Sequence, residues 1–404
     1  MIIQVFFLGG IWEKKDEQEI IDNSIGNVQI AANVLQTNLI EGMDAILKAP
    51  VTILNEIFIG AFPLKYKKAV IHSGKWNHCS IEGHTDYNIG FLNLPFVKHY
   101  NRFNQLKKNI RNVCKECKAD IIYFVGYSMT YSVVEGLCYA KIHDQRVKTC
   151  LIVPDLPEYM NLGKKKSFAF SFLKTFISNK LYRDIQRIDS FVTLTKYIYE
   201  ALHVNKPYTV VEGVATVATV LHETKDTHKT KDFVYTGTLA QKYGVVNLVD
   251  AFTKVEGDDL RLIICGAGDG KEHILEVADK DHRIQYLGTV SNEVAKKLQR
   301  EAFVLVNPRS NKEEYTKYSF PSKTMEYMAT GRPVLMYKLK GIPDEYDDYI
   351  YYFGNDMRKS IEQLAIADPE ELAAKGRKAR DFVVLNKNSI KQAEKIINLL
   401  NSLN

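Results

Sequence analysis

Short apolar runs alternate with amphipathic stretches along most of this chain. Ile2 to Leu8, Val51 to Asn55, Ala69 to His72, Asp120 to Val125, Val147 to Val153 and Ser190 to Leu194 read as strands, largely continuous in apolar character. Between them, Val28, Ala31, Ala32, Leu35, Leu39 and Met43 form one helical face, and Phe103 to Cys117, Ser132 to Ile142 and Lys196 to Leu202 read as further helices. Trp12 to Ser24 is polar and charged and reads as a mobile loop. Past the polar segment around Glu223 to Lys231 the alternation starts again, without an internal sequence repeat. Strands at Phe233 to Thr236, Leu260 to Cys265, Ile284 to Leu287 and Ala302 to Val306 alternate with helices such as Val246 to Val255 and Ser291 to Gln299. This rhythm predicts an α/β chain of two doubly wound, Rossmann-like parallel-sheet domains, 1–205 and 206–385, with a closing helix over 386–404.

The stretch from Asn307 to Leu335 carries the most chemistry. An apolar strand feeds a turn, Asn307 to Asn311, and a helix follows with Ser322 as the expected N-cap and Met325, Met328 and Ala329 at helical spacing. Gly331 fits the position just past the helix end, before a strand at Val334-Leu335. A helix start gathers free backbone N–H groups, and Arg309, Lys317 and Lys323 surround it with positive charge, which suits a phosphate. Glu326, one turn in, is placed to accept hydrogen bonds from two sugar hydroxyls. The plainer reading is a carboxylate that complements the helix dipole.

Composition narrows the field. The 404 residues are 46% hydrophobic and 25% charged, as in soluble globular proteins, and the net charge of +6 favours anionic partners. No apolar run reaches the length of a membrane span, and Met1 to Leu8 lacks the basic start of a signal peptide. Six cysteines are scattered, and Cys114 and Cys117 form a single C-x-x-C without a second pair at zinc spacing, so reduced cysteines in a cytoplasmic protein are expected. A D-x-D, Asp279 to Asp281, sits near a helix end and reads as solvated, so no metal is expected. Gly9-Gly10 follows the first strand as a turn where backbone could approach a ligand. Pro154 to Tyr159 leaves the strand ending at Val153, which makes Asp155 and Glu158 candidate site carboxylates, or members of a capped turn. Gly163 to Arg187 interleaves Lys164, Lys165, Lys166, Lys174, Lys180, Arg183 and Arg187 with large apolar side chains. That pattern fits an anionic membrane surface, or equally a helix with one face packed and its lysines in solvent. Nucleic-acid recognition motifs are missing.

These segments resemble a GT-B glycosyltransferase of the retaining family 4. YTGTLAQKYGVVNLVDAF, LIICGAGDG, YLGTVSNEVAKKL and SFPSKTMEYMATGRPVL carry the resemblance in the second half; IIQVFFLGGIW and CLIVPDLPEYM carry it more loosely in the first. It implies two Rossmann-like domains facing a central cleft, the closing helix returning to the first, and a nucleoside-diphosphate sugar as donor substrate with no cofactor. By position, Glu326 would bind the ribose, and Tyr318, Ser319, Phe320 and Ser322 would line the donor sugar and phosphates. Gly10, Gly237 and Gly266 would allow close approach, and Tyr286 and Leu287 would lie near the base. Asp155, Glu158 and Tyr159 would face the acceptor.

The chain departs from that pattern where charge matters most. The family's Arg and Lys on the diphosphate stand here as Thr238 and Tyr243; the first Glu of its E-x7-E pair is Tyr318; the His of its His-Asp loop is Pro154. Arg309 and Lys323, with Lys242 next, are therefore expected to oppose the leaving diphosphate. Asp155 would position substrate in a retaining reaction and act as general base in an inverting one. The resemblance further implies a saccharide or lipid-linked acceptor for bacterial surface polysaccharide (capsule or exopolysaccharide) and a cytoplasmic enzyme, peripheral on the inner membrane face. The alternative is a non-catalytic GT-B subunit of another glycosyltransferase.

Overall fold

The computed structural model describes residues 2–26, 28–95, 97–158, 178–215 and 230–404. The chain divides into two compact units: Met1–Val214 with Ser389–Asn404, and Ala215–Asn388. The division falls at 214/215 and 388/389, because residues 208–210 supply an edge strand of the first sheet.

Unit 1 contains β1 (Ile3–Gly9), β2 (Thr52–Asn55), β3 (Val70–Ile71), β4 (Gly74–Trp76), β5 (Asp86–Asn88), β6 (Phe91–Leu92), β7 (Ile121–Tyr127), β8 (Val147–Val153), β9 (Ser190–Thr193) and β10 (Tyr208–Val210). Its main sheet runs β10-β9-β8-β7-β1-β2-β5-β4. The pairs are parallel apart from β4, which is antiparallel to β5. Phe7, Leu8, Phe124 and Val125 are fully buried at its centre. β3 and β6 form a separate antiparallel pair.

Two sequence expectations change here. The helix Ile30–Ile46 turns Asn33 and Gln36 inward and leaves Ala31 exposed. The two amides are held in by backbone: Trp12 N donates to Asn33 Oδ1 at 2.9 Å and Gly10 N to Gln36 Oε1 at 3.0 Å. Trp12 to Ser24 is not a loop. It forms a 3-10 turn, Lys14–Asp16, and a helix, Glu17–Asn23, with Ile20 buried. Lys67 N donates to Asn23 O (2.9 Å) and Ile25 N to Lys65 O (3.0 Å), tying this helix down. One buried isoleucine is too little periodicity to read from sequence.

The last helix, Ser389–Asn401, packs Ala393, Ile396 and Leu400 against Leu39, Ile40 and Met43 in the unit 1 core. Gly42 makes this approach possible, since a Cβ there would overlap the Ser389 carbonyl. In the basic stretch, residues 163–177 lie outside the described residues. In 178–187, Leu181 and Ile185 are core residues and Lys180 is paired with Glu135 and Asp184. That part packs into unit 1.

Unit 2 contains β11 (Lys231–Thr236), β12 (Leu260–Cys265), β13 (Ile284–Tyr286), β14 (Val304–Asn307), β15 (Val334–Met336) and β16 (Tyr351–Tyr352), all parallel in the order β13-β12-β11-β14-β15-β16. One apolar layer, with Leu248, Phe252 and Ile361, covers one face; another, with Met325, Met328, Phe382 and Val383, covers the other. Burial on both faces explains the continuous apolar strands. Both units pin a strand start in the same way. Arg146, before β8, bonds Asp144 and the carbonyls of Cys114, Cys117 and Ala119; Arg283, before β13, bonds Asp281 and the carbonyls of Val255 and Gly257. Asp281, expected to be solvated, is thus a structural clamp.

Candidate functional site

In unit 2 the strand order reverses between β11 and β14, and a doubly wound sheet opens a crevice at the carboxyl ends of such strands. The helix Ser322–Met328 lies over this point. Its N-cap is Pro321 without a side-chain cap; Ser322 is the exposed first helical residue, so the expected Ser322 cap is not made. Tyr327, fully buried, anchors the helix: Thr236 N donates to its hydroxyl at 3.0 Å, and the hydroxyl donates to Thr236 O at 3.1 Å. Burial, opposed by these bonds, pushes that phenol well above its ordinary range. The strand end is locked to the helix one residue away from Glu326.

Glu326 is held from two sides. Lys323 Nζ reaches both carboxylate oxygens, at 3.0 and 2.9 Å, and the buried Gln299 donates from Nε2 to Glu326 Oε1 and to Thr236 Oγ1, each at 2.7 Å. The Glu326 side chain keeps 34% of its exposure and Lys323 37%, so both remain open to a ligand. A half-exposed i,i+3 ion pair is worth up to about 1 kcal/mol, little enough for a ligand to displace Lys323.

Arg309 follows β14. Its Nη2 donates to Ser319 Oγ at 2.9 Å, and its guanidinium lies over the rings of Tyr243 (5.3 Å) and Tyr315 (5.1 Å). Gly244, at φ 80°, makes this possible: a Cβ there would overlap the Pro308 carbonyl, so the 3-10 turn Gln241–Tyr243 can lie against the loop that carries Arg309. Tyr243, where the family resemblance expects a lysine, thus faces an arginine. Lys242 is exposed beside it, with Nζ over the Tyr243 ring.

The remaining donor candidates divide. A Cβ at Gly237 would lie 3.7 Å from Lys323 Cε, which puts the β11 turn beside the ion pair. A Cβ at Gly266 would overlap the Gly237 carbonyl, so Gly266 serves the packing of the two turns against each other. Thr238 is exposed and its carbonyl accepts from Tyr235 Oη. Tyr286 donates to Gly266 O at 2.8 Å, and Leu287 beyond it is 44% exposed. Tyr318 ends a 3-10 turn with the Lys317 ammonium over its ring. The Phe320 side chain is a core residue packed on Tyr346, which leaves only its backbone for a ligand. Gln299, Tyr315 and Tyr327 were not singled out from sequence; a buried glutamine on a charged helix gives no signal there.

In unit 1 the candidates are more dispersed. Gly10 donates its amide to Gln36, and a Cβ on it would overlap the Phe58 ring, so its role here is packing. Asp155 is exposed past β8, and its charge adds to burial in raising the Tyr127 phenol. Glu158 accepts from the Ser178 (3.1 Å) and Tyr182 (2.9 Å) hydroxyls, and Tyr159 lies outside the described residues. A buried charge cluster unseen in the sequence joins Glu56, Ser132 and Arg102, with Ser132 Oγ donating to Glu56 Oε2 at 2.6 Å. Beside it, burial pulls the Lys98 amine down to about 7.

His78, Cys79 and His84 are the one group among the described residues spaced to hold a metal ion. Both ring nitrogens of His78 are already engaged, with Asp44 and with Asp86, each at 2.7 Å. Burial alone would lower the His78 pKa, but the two carboxylates outweigh it and push it up to about 10. Burial raises the Cys114 thiol to about 12, away from the thiolate that metal binding or redox chemistry uses. Among the described residues no helix is long and apolar enough to cross a membrane.

Residues 230–402 match the family described as Glycosyl transferases group 1. An uncharacterized glycosyltransferase from Methanocaldococcus jannaschii is 28% identical over 116 residues, which span 28% of each chain. Among solved structures, a sucrose-phosphate synthase from Thermosynechococcus elongatus superposes with a TM-score of 0.64 at 14% identity, covering 99% of both chains. An α,α-trehalose-phosphate synthase from Burkholderia xenovorans, solved with glucose-6-phosphate, gives 0.64 at 9% identity and 99% coverage of both. These are GT-B structures, and the fold expected from the sequence, two Rossmann-like α/β domains, is the fold found.

Proposed function

Because residues 230–402 carry a glycosyl transferases group 1 domain, we propose that this protein is an enzyme that moves a sugar from a nucleoside-diphosphate sugar to a saccharide or lipid-linked saccharide of a surface polysaccharide, with retention of anomeric configuration. The observation that carries the reading is Glu326, half-open at the switch point between β11 and β14, with one oxygen fixed by Gln299. Lys323 covers that carboxylate by a half-exposed i,i+3 ion pair. A ribose displaces it, its two hydroxyls donate to Glu326, and the freed ammonium turns to the diphosphate.

As the bond between sugar and diphosphate breaks, negative charge grows on the leaving oxygen. Arg309, held by Ser319 and two tyrosine rings, and Lys323 oppose it; such pre-positioned cations are worth about 3 kcal/mol each. No metal is required for that charge balance. The leaving phosphate takes the acceptor proton, and Asp155 orients the acceptor. Incubating the pure protein with nucleoside-diphosphate sugars and saccharide acceptors in excess chelator tests this. A retained anomer by NMR is expected; donor turnover that needs a divalent metal, or an inverted anomer with Asp155 as base, corrects the mechanism. No turnover of any donor favours a non-catalytic subunit.

A further inference from the structure

Residues 57–115 hold ten lysines and arginines against two acidic residues, Glu82 and Asp86. The whole chain carries +6, so everything outside this stretch is net negative. Part of the excess is spent inside unit 1: Lys98 and Arg102 are buried, Arg102 beside Glu56, and Lys68 pairs with Glu19. Four of the seven that remain stand on one element, the helix Lys98–Glu116, which buries Leu106, Ile110, Val113 and Cys114. On its outer side Tyr100, Lys107, Lys108, Arg111 and Lys115 recur at helical spacing, a stripe about 22 Å long. Among the described residues none of these four cations forms an ion pair. Lys107 lies over the Tyr139 ring at 4.8 Å and Arg111 donates to the Tyr139 hydroxyl at 3.1 Å, contacts that leave both charges uncompensated. Glu116, the one carboxylate of the helix, lies off the stripe.

An apolar patch adjoins the start of the stripe. Val97 and Tyr100 stand at the beginning of the helix, Lys98 N donates to Leu94 O at 2.9 Å, and Leu92 N donates to Asn101 Oδ1 at 2.9 Å. Val70 is the direct partner of Leu92 in the β3–β6 pair. These five apolar side chains, Val70, Leu92, Leu94, Val97 and Tyr100, are 36% to 62% exposed. Single exposed apolar residues are ordinary; a connected group of them beside four unpaired cations marks an interaction surface. We infer that this face docks unit 1 on an anionic lipid bilayer, with the four cations against headgroup phosphates and Leu92, Leu94, Val97 and Tyr100 entering the interface. Charge alone would suit any polyanion. The aliphatic side chains gain only at a surface with hydrocarbon beneath its charge, and a nucleic acid would leave them in water. The inference stands apart from the transferase reading, since it concerns where the chain sits and not what it transfers.

Flotation of the full chain with phosphatidylcholine vesicles, plain or with about one third phosphatidylglycerol, tests this. Binding to the anionic vesicles alone, weakened by added salt, is expected. Lys107→Gln, Lys108→Gln and Lys115→Gln together should weaken it about a hundredfold, at about fivefold per charge. Arg111 stays, because it also holds Tyr139. Leu94→Ser with Val97→Ser should weaken binding about tenfold and leave its salt dependence unchanged. Both variants should melt at the parent's temperature, since neither removes a core side chain. No binding of the parent to anionic vesicles, or equal binding by the parent and the charge variant, overturns the inference. So does a parent that prefers single-stranded RNA to the vesicles.

Discussion

Gln299 donates one hydrogen bond to Glu326 and another to Thr236, so a single buried amide sets the carboxylate against the end of the central strand β11. Replacing Gln299 with Leu frees Oε1 and leaves Glu326 to Lys323 alone. The expected result is a rise of about tenfold in donor KM, about 1.4 kcal/mol of binding, with kcat changed less. Initial rates over a range of donor concentrations decide it; an unchanged KM means that Glu326 does not depend on this anchor.

Arg309→Ala removes a cation that is caged before any ligand arrives. Turnover should fall about a hundredfold, with donor binding affected less, since the charge it opposes develops as the bond breaks. A loss under about threefold assigns the leaving-group role elsewhere, with Lys323 and Lys242 next in line.

Tyr327→Phe deletes one oxygen and strands both the N–H and the carbonyl of Thr236 in the core of unit 2. Stability should drop by about 1–3 kcal/mol, read as a lower urea midpoint with an unchanged slope. An unchanged midpoint would mean that water or a neighbour replaces the hydroxyl at no cost.

His78 makes unit 1 sensitive to alkali. Its pKa is raised to about 10 by Asp44 and Asp86 against the pull of burial, and His84 bonds the other oxygen of Asp86. A group with a raised folded pKa stabilises fully below its unfolded value, near 6.5, and that contribution fades as pH climbs through the folded value. Each pKa unit is about 1.4 kcal/mol, so melting temperature should decline between pH 7 and 10 in the parent. His78→Gln should flatten that decline; an identical slope in the variant would show that other groups cause it.

Much of the fold could be read in advance because parallel strands buried on both faces are continuous in apolar residues. Val147 to Val153 and Leu260 to Cys265 were bounded correctly for that reason. The helix Glu17–Asn23 escaped because it is held by backbone bonds to Lys65 and Lys67, which no local pattern encodes. The inward turn of Asn33 and Gln36 escaped likewise: their partners are main-chain amides of the β1 turn. At the candidate site, charged residues such as Glu326, Lys323 and Arg309 stood out by type and spacing. Gln299 and Tyr327, buried and neutral, act through contacts more than twenty residues away in sequence. Gly10 and Gly266 were singled out as ligand approaches, and both are occupied by protein neighbours, Phe58 and Gly237. A glycine signals close approach without saying by what.

The most direct measurement is a thermal-shift panel of nucleoside-diphosphate sugars on the parent chain and on Glu326→Gln. Binding to the folded state at a hundredfold excess over Kd adds about 2.7 kcal/mol, which raises the melting temperature by roughly 5 °C for a unit of this size. One donor should produce that rise in the parent, and the variant should lose most of it while melting at the parent's unliganded temperature. No rise with any donor, or an equal rise in both proteins, would contradict a ribose held by Glu326.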